Sequence, residues 1–445
     1  MVKPRSSEAC GTDAVRIGLL GYGNVGLAFA QLIDSQAEAI ALRTGIELRI
    51  TRIAVQDLAK QRPGSARSVA GARLCADALS IVNDPSIDLV VELIGGIEPA
   101  RSLLLAAIAA GKPVVTGNKE LLATIGAELL AAAESAGVDL FYEASVAGAI
   151  PLVRLLTDSL AGEQIVRVMG IVNGTTNYVL TSMSEEGSDY AQALAEAQAL
   201  GYAEADPTAD VEGYDARAKA AILAGIAFDA DVAAEDVYRE GITAIGAADI
   251  AFAHRLGYEI KLLAVAERVG DGSTSAIAVR VHPAMVPRGH PLASVRGAFN
   301  AVFVEGASAG ELMIYGRGAG GTATASAALG DVVAAAHHLR QKTRGRPVRR
   351  DRVEIRPIAE LRTRYYLTLD VTDRPGVLAT VAHAFGEHHV SIRSMEQVGL
   401  GDEARLVFIT HTAREADVQA TLAALARLDV VGRIGGVLRV IGPEQ

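Results

Sequence analysis

Tryptophan is absent from the 445-residue chain, and aromatic residues make up only 4% of it. The two cysteines, Cys10 and Cys75, are too few for a disulfide framework or a Cys-based zinc site. Mean hydropathy is +0.27, yet no apolar run approaches the roughly 18 residues that a membrane span needs. The first residues lack the apolar segment of a signal peptide. We therefore expect a cytoplasmic protein that does not act in a membrane.

Basic residues are also in the minority, since 42 Lys and Arg face 52 Asp and Glu, for a formal net charge of −10. The basic stretch 341–352 is polar and poor in core residues, which is typical of a solvated linker. This charge balance argues against nucleic acid as a partner. Half of the residues are hydrophobic, which is enough to build large buried cores.

The alternation of elements predicts an α/β protein of three domains. Residues 1–150 alternate short apolar runs with longer periodic ones, as in a Rossmann-type doubly wound parallel sheet, and a returning helix near 316–340 completes this domain. The pattern of residues 151–315 predicts a second, α+β domain. After a linker at 341–360, residues 361–445 follow a βαββαβ pattern. We expect a homodimer or homotetramer.

A glycine-rich turn follows the first strand, Val15–Leu20, and opens a helix. It consists of Gly21, Tyr22, Gly23, Asn24, Val25 and Gly26. In a G-x-G-x-x-G turn the first glycine permits the tight turn, the second lets a pyrophosphate approach, and the third lets helix and strand pack closely. The motif alone is weak and also occurs as a structural turn, but its position in an α/β unit predicts dinucleotide binding.

The choice between NAD and NADP is expected to depend on the end of the second strand. Asp57 is an acidic residue of the kind that binds the ribose hydroxyls of NAD. Lys60 and Arg62 follow closely and offer an alternative partner for the phosphate of NADP. The local sequence therefore leaves both cofactors open.

Two lysines are candidates for proton transfer. Lys119 begins a predicted helix, where the helix dipole disfavours a cation. Lys219 lies four residues after Asp215 on one predicted helix, so the two share a face. The alternatives are a solvated lysine and an ordinary helix salt bridge. Glu204, Asp210, Glu212 and Asp215 are predicted to converge on the loop before this helix, an arrangement suited to a substrate with an ammonium group.

This loop carries a resemblance to a known family. The stretch from Ala197 to Lys219 is similar to the homoserine dehydrogenase signature at each fixed position, which are Ala197, Gly201, Asp206, Pro207, Asp210, Gly213, Asp215 and Lys219. The resemblance extends over nearly the whole chain, and it implies that residues 151–315 serve substrate binding and dimerisation. It implies reversible hydride transfer between NAD(P)H and L-aspartate 4-semialdehyde, giving L-homoserine for threonine, methionine and isoleucine biosynthesis.

The resemblance also implies roles for individual residues. Lys219 and Lys119 would be the catalytic lysines. Substrate-binding residues would be Glu204, Asp215, Asp210, Gly174 and Thr176. Besides the glycine turn, the cofactor-binding residues would be Gln56, Asp57, Gly95, Thr116, Lys119, Gly318, Gly320 and Gly321. Sodium would be held by oxygens of Glu143, Val146, Gly148 and Ile150.

Two positions depart from the family pattern. Gln56 stands where relatives often have Arg, which puts a strong NADP preference in doubt. Arg317 stands where the glycine-rich loop commonly has Pro. Neither position touches the expected chemistry.

The carboxyl-terminal segment resembles an ACT domain, with Asp373, Arg374, Pro375 and Gly376 between the first strand and first helix. The resemblance implies an amino-acid effector, threonine, with its carboxylate at the helix amino terminus. A purely structural dimerisation module is the alternative. If the module is regulatory and is not needed for folding, truncation near Arg350 is expected to leave an active enzyme that ignores threonine.

Two other functions compete with this interpretation. One is an amino-acid dehydrogenase that acts on a related semialdehyde, but the intact pattern from Glu204 to Lys219 argues against it. The other is a non-catalytic nucleotide sensor, which would need neither Lys119 nor Lys219.

Overall fold

The computed structural model describes residues 14–59, 71–270, 276–345, 352–399 and 403–442. The chain divides into two compact units. The first consists of residues 1–153 and 319–349, and the second of residues 154–318 and 350–445. Within the described residues no helix has both the length and the apolar character required to span a bilayer.

The first unit begins with alternating strands and helices. Its strands are β1 (Val15–Leu20), β2 (Leu48–Ala54), β3 (Arg73–Cys75), β4 (Leu89–Glu92), β5 (Val114–Thr116) and β6 (Leu140–Phe141). Its helices are α1 (Asn24–Thr44), α2 (Ala78–Val82), α3 (Ala100–Ala109) and α4 (Lys119–Ala136), and the short α5 (Leu152–Arg154) follows. Local sequence defines the ends of α4: the Asn118 side chain accepts the Leu121 N–H at 3.1 Å, and Gly137 ends the helix with φ 69°.

The six strands are parallel and lie in the order β3-β2-β1-β4-β5-β6. This order reverses at β1, so a crevice forms beyond the carboxyl ends of β1 and β4. The doubly wound parallel sheet predicted from the alternating pattern is confirmed.

The second unit is built on a larger mixed sheet. Its first strands are β7 (Ile165–Ile171), β8 (Tyr238–Arg239), β9 (Tyr258–Val269), β10 (Ala276–Pro287), β11 (Phe299–Gly306) and β12 (Gly310–Arg317). Its helices are α6 (Gly174–Glu185), α7 (Tyr190–Ala199), α8 (Thr208–Val211), α9 (Tyr214–Ala227) and α10 (Ala247–Arg255).

The chain then returns to the first unit through α11 (Gly321–Gln341). The buried face of this helix, from Ala325 to Ala336, joins the hydrophobic core formed by β1, β2 and α1. The helix expected to complete the nucleotide-binding fold therefore packs where α1 and the sheet leave apolar surface.

The carboxyl-terminal segment adds β13 (Glu354–Ile355), β14 (Arg362–Thr372), α12 (Val377–Glu387), β15 (Ile392–Gly399), β16 (Glu403–Thr410), β17 (Ala413–Arg414), α13 (Glu415–Leu425) and β18 (Val431–Val440). Apart from the short β13 and β17, this is the predicted βαββαβ order.

A single sheet runs through the second unit, in the order β12-β11-β7-β9-β10-β18-β14-β16-β15. The link between its two halves is the parallel pairing of β10 with β18, where Ala284 faces Arg439 and Met285 faces Val440. Part of the segment expected to be a linker also joins the sheet, because β13 pairs with β10.

Candidate active site

The glycine turn of the first unit combines tight packing with one open position. A Cβ on Gly26 would lie 2.2 Å from the Gly21 carbonyl oxygen, and one on Gly21 would lie 2.6 Å from the Leu93 oxygen, whereas a Cβ on Gly23 would meet no atom within 4 Å. No side chain caps α1 at Gly23. The first N–H groups of a helix lack intrahelical partners and attract anions, so this opening fits the pyrophosphate of a dinucleotide.

The end of β2 lies beside this turn, since the Gly21 N–H donates to the Ala54 oxygen at 3.1 Å. Gln56 and Asp57 follow the strand and are exposed. A carboxylate oxygen of Asp57 accepts the Ala59 N–H at 2.8 Å, which fixes the local turn. The alternative phosphate partners Lys60 and Arg62 lie outside the described residues.

A buried carboxylate organises the neighbouring strand ends. Glu92 Oε1 accepts the N–H groups of Ile94 at 2.7 Å and Gly95 at 3.2 Å, and its Oε2 accepts the Thr116 hydroxyl at 2.5 Å. Asn118 donates its N–H to Thr116 Oγ1 at 3.0 Å. Glu92 thereby ties the Gly95 turn to the start of α4, where Lys119 is exposed. Sequence reasoning does not assign Glu92 this role, although a carboxylate that ends an apolar strand run is a local signal for it.

The glycines before α11 lie in both units. In the first unit, a Cβ on Gly321 would lie 3.0 Å from the Asn24 oxygen, so this glycine lets α11 approach the start of α1, and Gly320 has φ +116°. In the second unit, a Cβ on Gly318 would lie 1.8 Å from Asn300 Nδ2. These close approaches explain the glycines sterically.

The expected sodium loop contains one buried carboxylate, Glu143, whose Oε1 accepts the Val153 N–H at 2.7 Å. Ala147 and Gly148 both have positive φ, 58° and 57°, so the backbone turns sharply here. Across the described ranges no group of three or more His, Cys, Asp or Glu side chains could hold a metal. Backbone carbonyls with a single carboxylate are hard oxygen donors, which fit a monovalent cation better than a transition metal.

The second unit contains a buried cluster around Lys219. Its ammonium lies 2.7 Å from Asp215 Oδ2 and 2.7 Å from the Val172 carbonyl oxygen. Asn173 Nδ2 donates to the same carboxylate at 2.9 Å and to Asp210 Oδ1 at 2.7 Å. Lys219 and Asp215 are only 7% and 8% exposed. The pair therefore lies in a site shielded from bulk water, where electrostatic interactions are strong.

Asn173 also begins α6, because its Oδ1 accepts the Thr176 N–H at 2.9 Å. Thr176 Oγ1 donates to the same oxygen at 3.0 Å. Gly174 is required by contact with a neighbouring segment, since a Cβ there would lie 2.7 Å from the Ala298 oxygen. Sequence reasoning missed Asn173 as the residue that joins the carboxylates of Asp210 and Asp215. An Asn-Gly pair opening a helix was its local signal.

The four acidic residues predicted to converge on the loop before α9 have different partners. Glu212 accepts the Thr243 hydroxyl at 3.0 Å and pairs with Arg239 at 3.7 Å, so its carboxylate is engaged away from Asp215. Glu204 is exposed on the loop. Only Asp210 and Asp215 share Asn173. Residues distant in sequence hold the Glu212 carboxylate, and its convergence with the other acidic residues on the substrate stays a prediction.

A doubly wound sheet with a glycine turn at its switch point, together with a second domain that buries a lysine–carboxylate pair, defines a class: the NAD(P)-dependent dehydrogenases. Family models narrow the class. They are described as "Homoserine dehydrogenase, NAD binding domain" over residues 21–143, "Homoserine dehydrogenase" over 151–333 and "ACT domain" over 365–440.

Individual relatives agree with these models. A homoserine dehydrogenase of Corynebacterium glutamicum is 52% identical over 433 residues, covering 96% of each chain. The crystal structure of a homoserine dehydrogenase from Thiobacillus denitrificans matches with a TM-score of 0.89 at 40% identity, covering 97% of this chain and 99% of that one. A hyperthermophilic archaeal homoserine dehydrogenase mutant, solved with NADPH, matches with a TM-score of 0.61 at 26% identity, covering 76% of this chain and 100% of that one.

The chain belongs to the homoserine dehydrogenase family. It is an NAD(P)-dependent oxidoreductase that interconverts L-homoserine and L-aspartate 4-semialdehyde, and it has a carboxyl-terminal ACT domain. The sensor and the dehydrogenase of a related semialdehyde are thereby set aside.

Proposed function

We propose that Lys219 transfers the proton in this reaction. A bound nicotinamide cofactor supplies hydride chemistry, and the protein must manage the proton of the substrate hydroxyl. The buried ammonium of Lys219, held by Asp215 at 2.7 Å, is the observation that carries the proposal. In homoserine oxidation the neutral amine of Lys219 would accept the hydroxyl proton and become the ammonium, while the carbon gives its hydride to the cofactor, and in the reverse direction the ammonium donates that proton to the developing alkoxide.

The carboxylates near Lys219 are assigned to the substrate ammonium. Asp210 and Asp215 share the Asn173 amide, and Asp215 also pairs with Lys219, so negative charge is concentrated beside the proposed proton-transfer group. Glu204, Gly174 and Thr176 are proposed substrate-binding residues on the family pattern. Lys119 is proposed as a second lysine that polarises the substrate oxygen.

Both cofactors are proposed to be used. The archaeal relative was solved with NADPH, but Gln56 carries no charge to meet a 2′-phosphate, and Asp57 suits the ribose of NAD. Gly95, Thr116, Gly318, Gly320 and Gly321 are proposed to complete the cofactor site. The decisive assay follows homoserine oxidation with NAD and NADP in parallel. Activity with neither would refute the proposal.

Sodium and an amino-acid effector are further parts of the proposal. Sodium is assigned to the oxygens of Glu143, Val146, Gly148 and Ile150, and replacing sodium salts with tetramethylammonium salts should lower activity reversibly. Threonine is assigned to the ACT domain, near the uncapped start of α12, and should inhibit the full chain at millimolar concentration. A homodimer or homotetramer is expected in light scattering.

A further inference from the structure

Lys261 on β9 is a buried lysine without a role in the chemistry described so far. It is only 2% exposed. Its ammonium donates to two neutral oxygens, the Val295 carbonyl at 2.6 Å and Asn177 Oδ1 at 3.2 Å. Burial lowers its pKa to about 8. Burying an ammonium against neutral acceptors costs free energy, so this lysine calls for a functional explanation.

The two acceptor oxygens belong to helix α6 and to the segment 295–299, and Lys261 bridges them. Asn177 lies on α6, one turn after Asn173, and its Nδ2 donates to the Gly297 oxygen at 2.8 Å and the Phe299 oxygen at 3.3 Å. Lys261 and Asn177 together therefore fasten the segment 295–299 to α6.

The same segment supports the first turn of α6. Thr181 Oγ1 accepts the Gly297 N–H at 3.2 Å and donates to the Asn177 oxygen at 2.6 Å. Ala298 lies so close to Gly174 that a Cβ on that glycine would meet its oxygen at 2.7 Å. A shift of segment 295–299 would therefore be felt where Asn173 begins the helix.

We propose that Lys261 is a positioning residue for homoserine. Through Asn177 and segment 295–299 it fixes the first turn of α6, from which Asn173 holds Asp210 and the Asp215–Lys219 pair. The inference rests on the proposed role of that cluster. It concerns the fit of the amino-acid substrate and leaves the cofactor site of the first unit untouched.

The test is Lys261→Met in the full-length enzyme, which keeps the side-chain length and removes the donors. Small misplacements of the groups that hold the substrate are costly, so KM for homoserine should rise about 10-fold or more while KM for the cofactor changes less than about threefold. The matched control is Lys112→Met. Lys112 is a 7% exposed lysine of the first unit that donates to the Asp84 carbonyl oxygen at 2.5 Å, and its loss should leave KM for homoserine unchanged.

A double-mutant cycle with Asn177→Ala tests the route. If Lys261 acts through Asn177, the double variant should raise KM for homoserine no more than the more damaging single variant does. Lys261→Gln, which retains a neutral donor, should recover part of the affinity and serves if Lys261→Met fails to fold. Additive effects, an unchanged KM for homoserine, or an equal rise in both KM values would overturn the proposal.

The outcome is separable from that of the proposed function. If Lys219→Ala loses turnover while the Lys261 variants bind homoserine normally, only the positioning role fails. If Lys219→Ala keeps wild-type kcat, the assignment of Lys219 fails first.

Discussion

Replacing Lys219 with alanine is the sharpest test of the proposed chemistry. The ammonium lies 2.7 Å from both Asp215 Oδ2 and the Val172 oxygen, so the substitution removes the cation of a buried ion pair. A positioned acid–base group typically contributes ~10²–10⁴-fold to the rate. We therefore expect kcat to fall by that factor, which corresponds to about 3–5 kcal/mol of activation free energy. KM for homoserine should change much less.

Stability must be separated from catalysis in this experiment. Asp215 is 8% exposed and keeps the Asn173 hydrogen bond at 2.9 Å, but it would lose its cation. Removing one partner of a buried ion pair costs about 3–5 kcal/mol when nothing compensates, so the melting temperature should also fall. Rates should accordingly be measured well below the melting transition. Adding Asp215→Asn to the variant should restore part of the stability without restoring kcat.

Arg217 provides a control on the same helix. Its guanidinium donates to the Ala234 carbonyl oxygen and has no part in the Lys219 cluster. Arg217→Ala should therefore keep wild-type kcat with homoserine. If Lys219→Ala also keeps wild-type kcat and loses only affinity for homoserine, the lysine binds substrate and does not transfer the proton.

Three further predictions concern cofactor and stability. Gln56→Arg should raise kcat/KM with NADP relative to NAD, because it offers the 2′-phosphate a cation; a strong NADP preference in the unmodified enzyme would show that another residue already does so. Gly23→Ala should keep the wild-type melting temperature but bind NADP(H) more weakly in fluorescence titration. Gly26→Ala should lower the melting temperature, because its Cβ would lie 2.2 Å from a carbonyl oxygen. Equal losses of melting temperature in the two variants would contradict this distinction. Burial lowers the pKa of Lys261 from 10.5 to about 8, so between these pH values the unfolded chain binds more protons and stability rises with pH. Denaturation should show the wild type gaining up to about 3 kcal/mol in stability relative to Lys261→Met across this range, and a constant difference would mean that burial does not lower the pKa of this lysine.

Local signals in the sequence predicted much of the first unit. The apolar run Val15–Leu20 coincides with β1, and Asn118 and Gly137 are local signals of the kind that begin and end a helix, as they do for α4, because these signals depend on neighbouring residues. The Asp215–Lys219 pair was equally local, being one helical turn apart. Such features need no knowledge of distant contacts.

Long-range contacts account for what was missed. Helix α6 is rich in Thr, Asn and Ser and yet almost wholly buried, so it shows no apolar stripe for a periodicity argument to find. Its polar side chains are satisfied by distant partners, as when Lys261 reaches Asn177 across 84 positions. Strand β12 was not predicted from the sequence for a different reason. It lies at the sheet edge with alternating exposed and half-buried residues, so it has no continuous apolar run.

Long-range contacts that the sequence does not reveal also connect the ACT domain to the substrate domain. Its βαββαβ pattern predicted internal pairing but could not reveal that β18 would also pair with β10 of the substrate domain. Arg439 on β18 is 3% exposed and donates to Glu415, also in the ACT domain, at 2.9 and 3.0 Å. It also donates to Glu240 of the substrate domain at 2.9 Å.

This connection changes what a truncation can show. Glu240 lies in the segment whose Ile242 N–H donates to Val211 at 2.8 Å, at the end of the acidic loop. Ending the chain near Arg350 would strip a strand from β10 and leave Glu240 without its buried cation, so loss of activity could follow from damage to the substrate domain alone. The expectation that the truncated enzyme stays active therefore no longer follows. Threonine sensitivity is better tested with substitutions around the start of α12, which leave β18 and Arg439 in place.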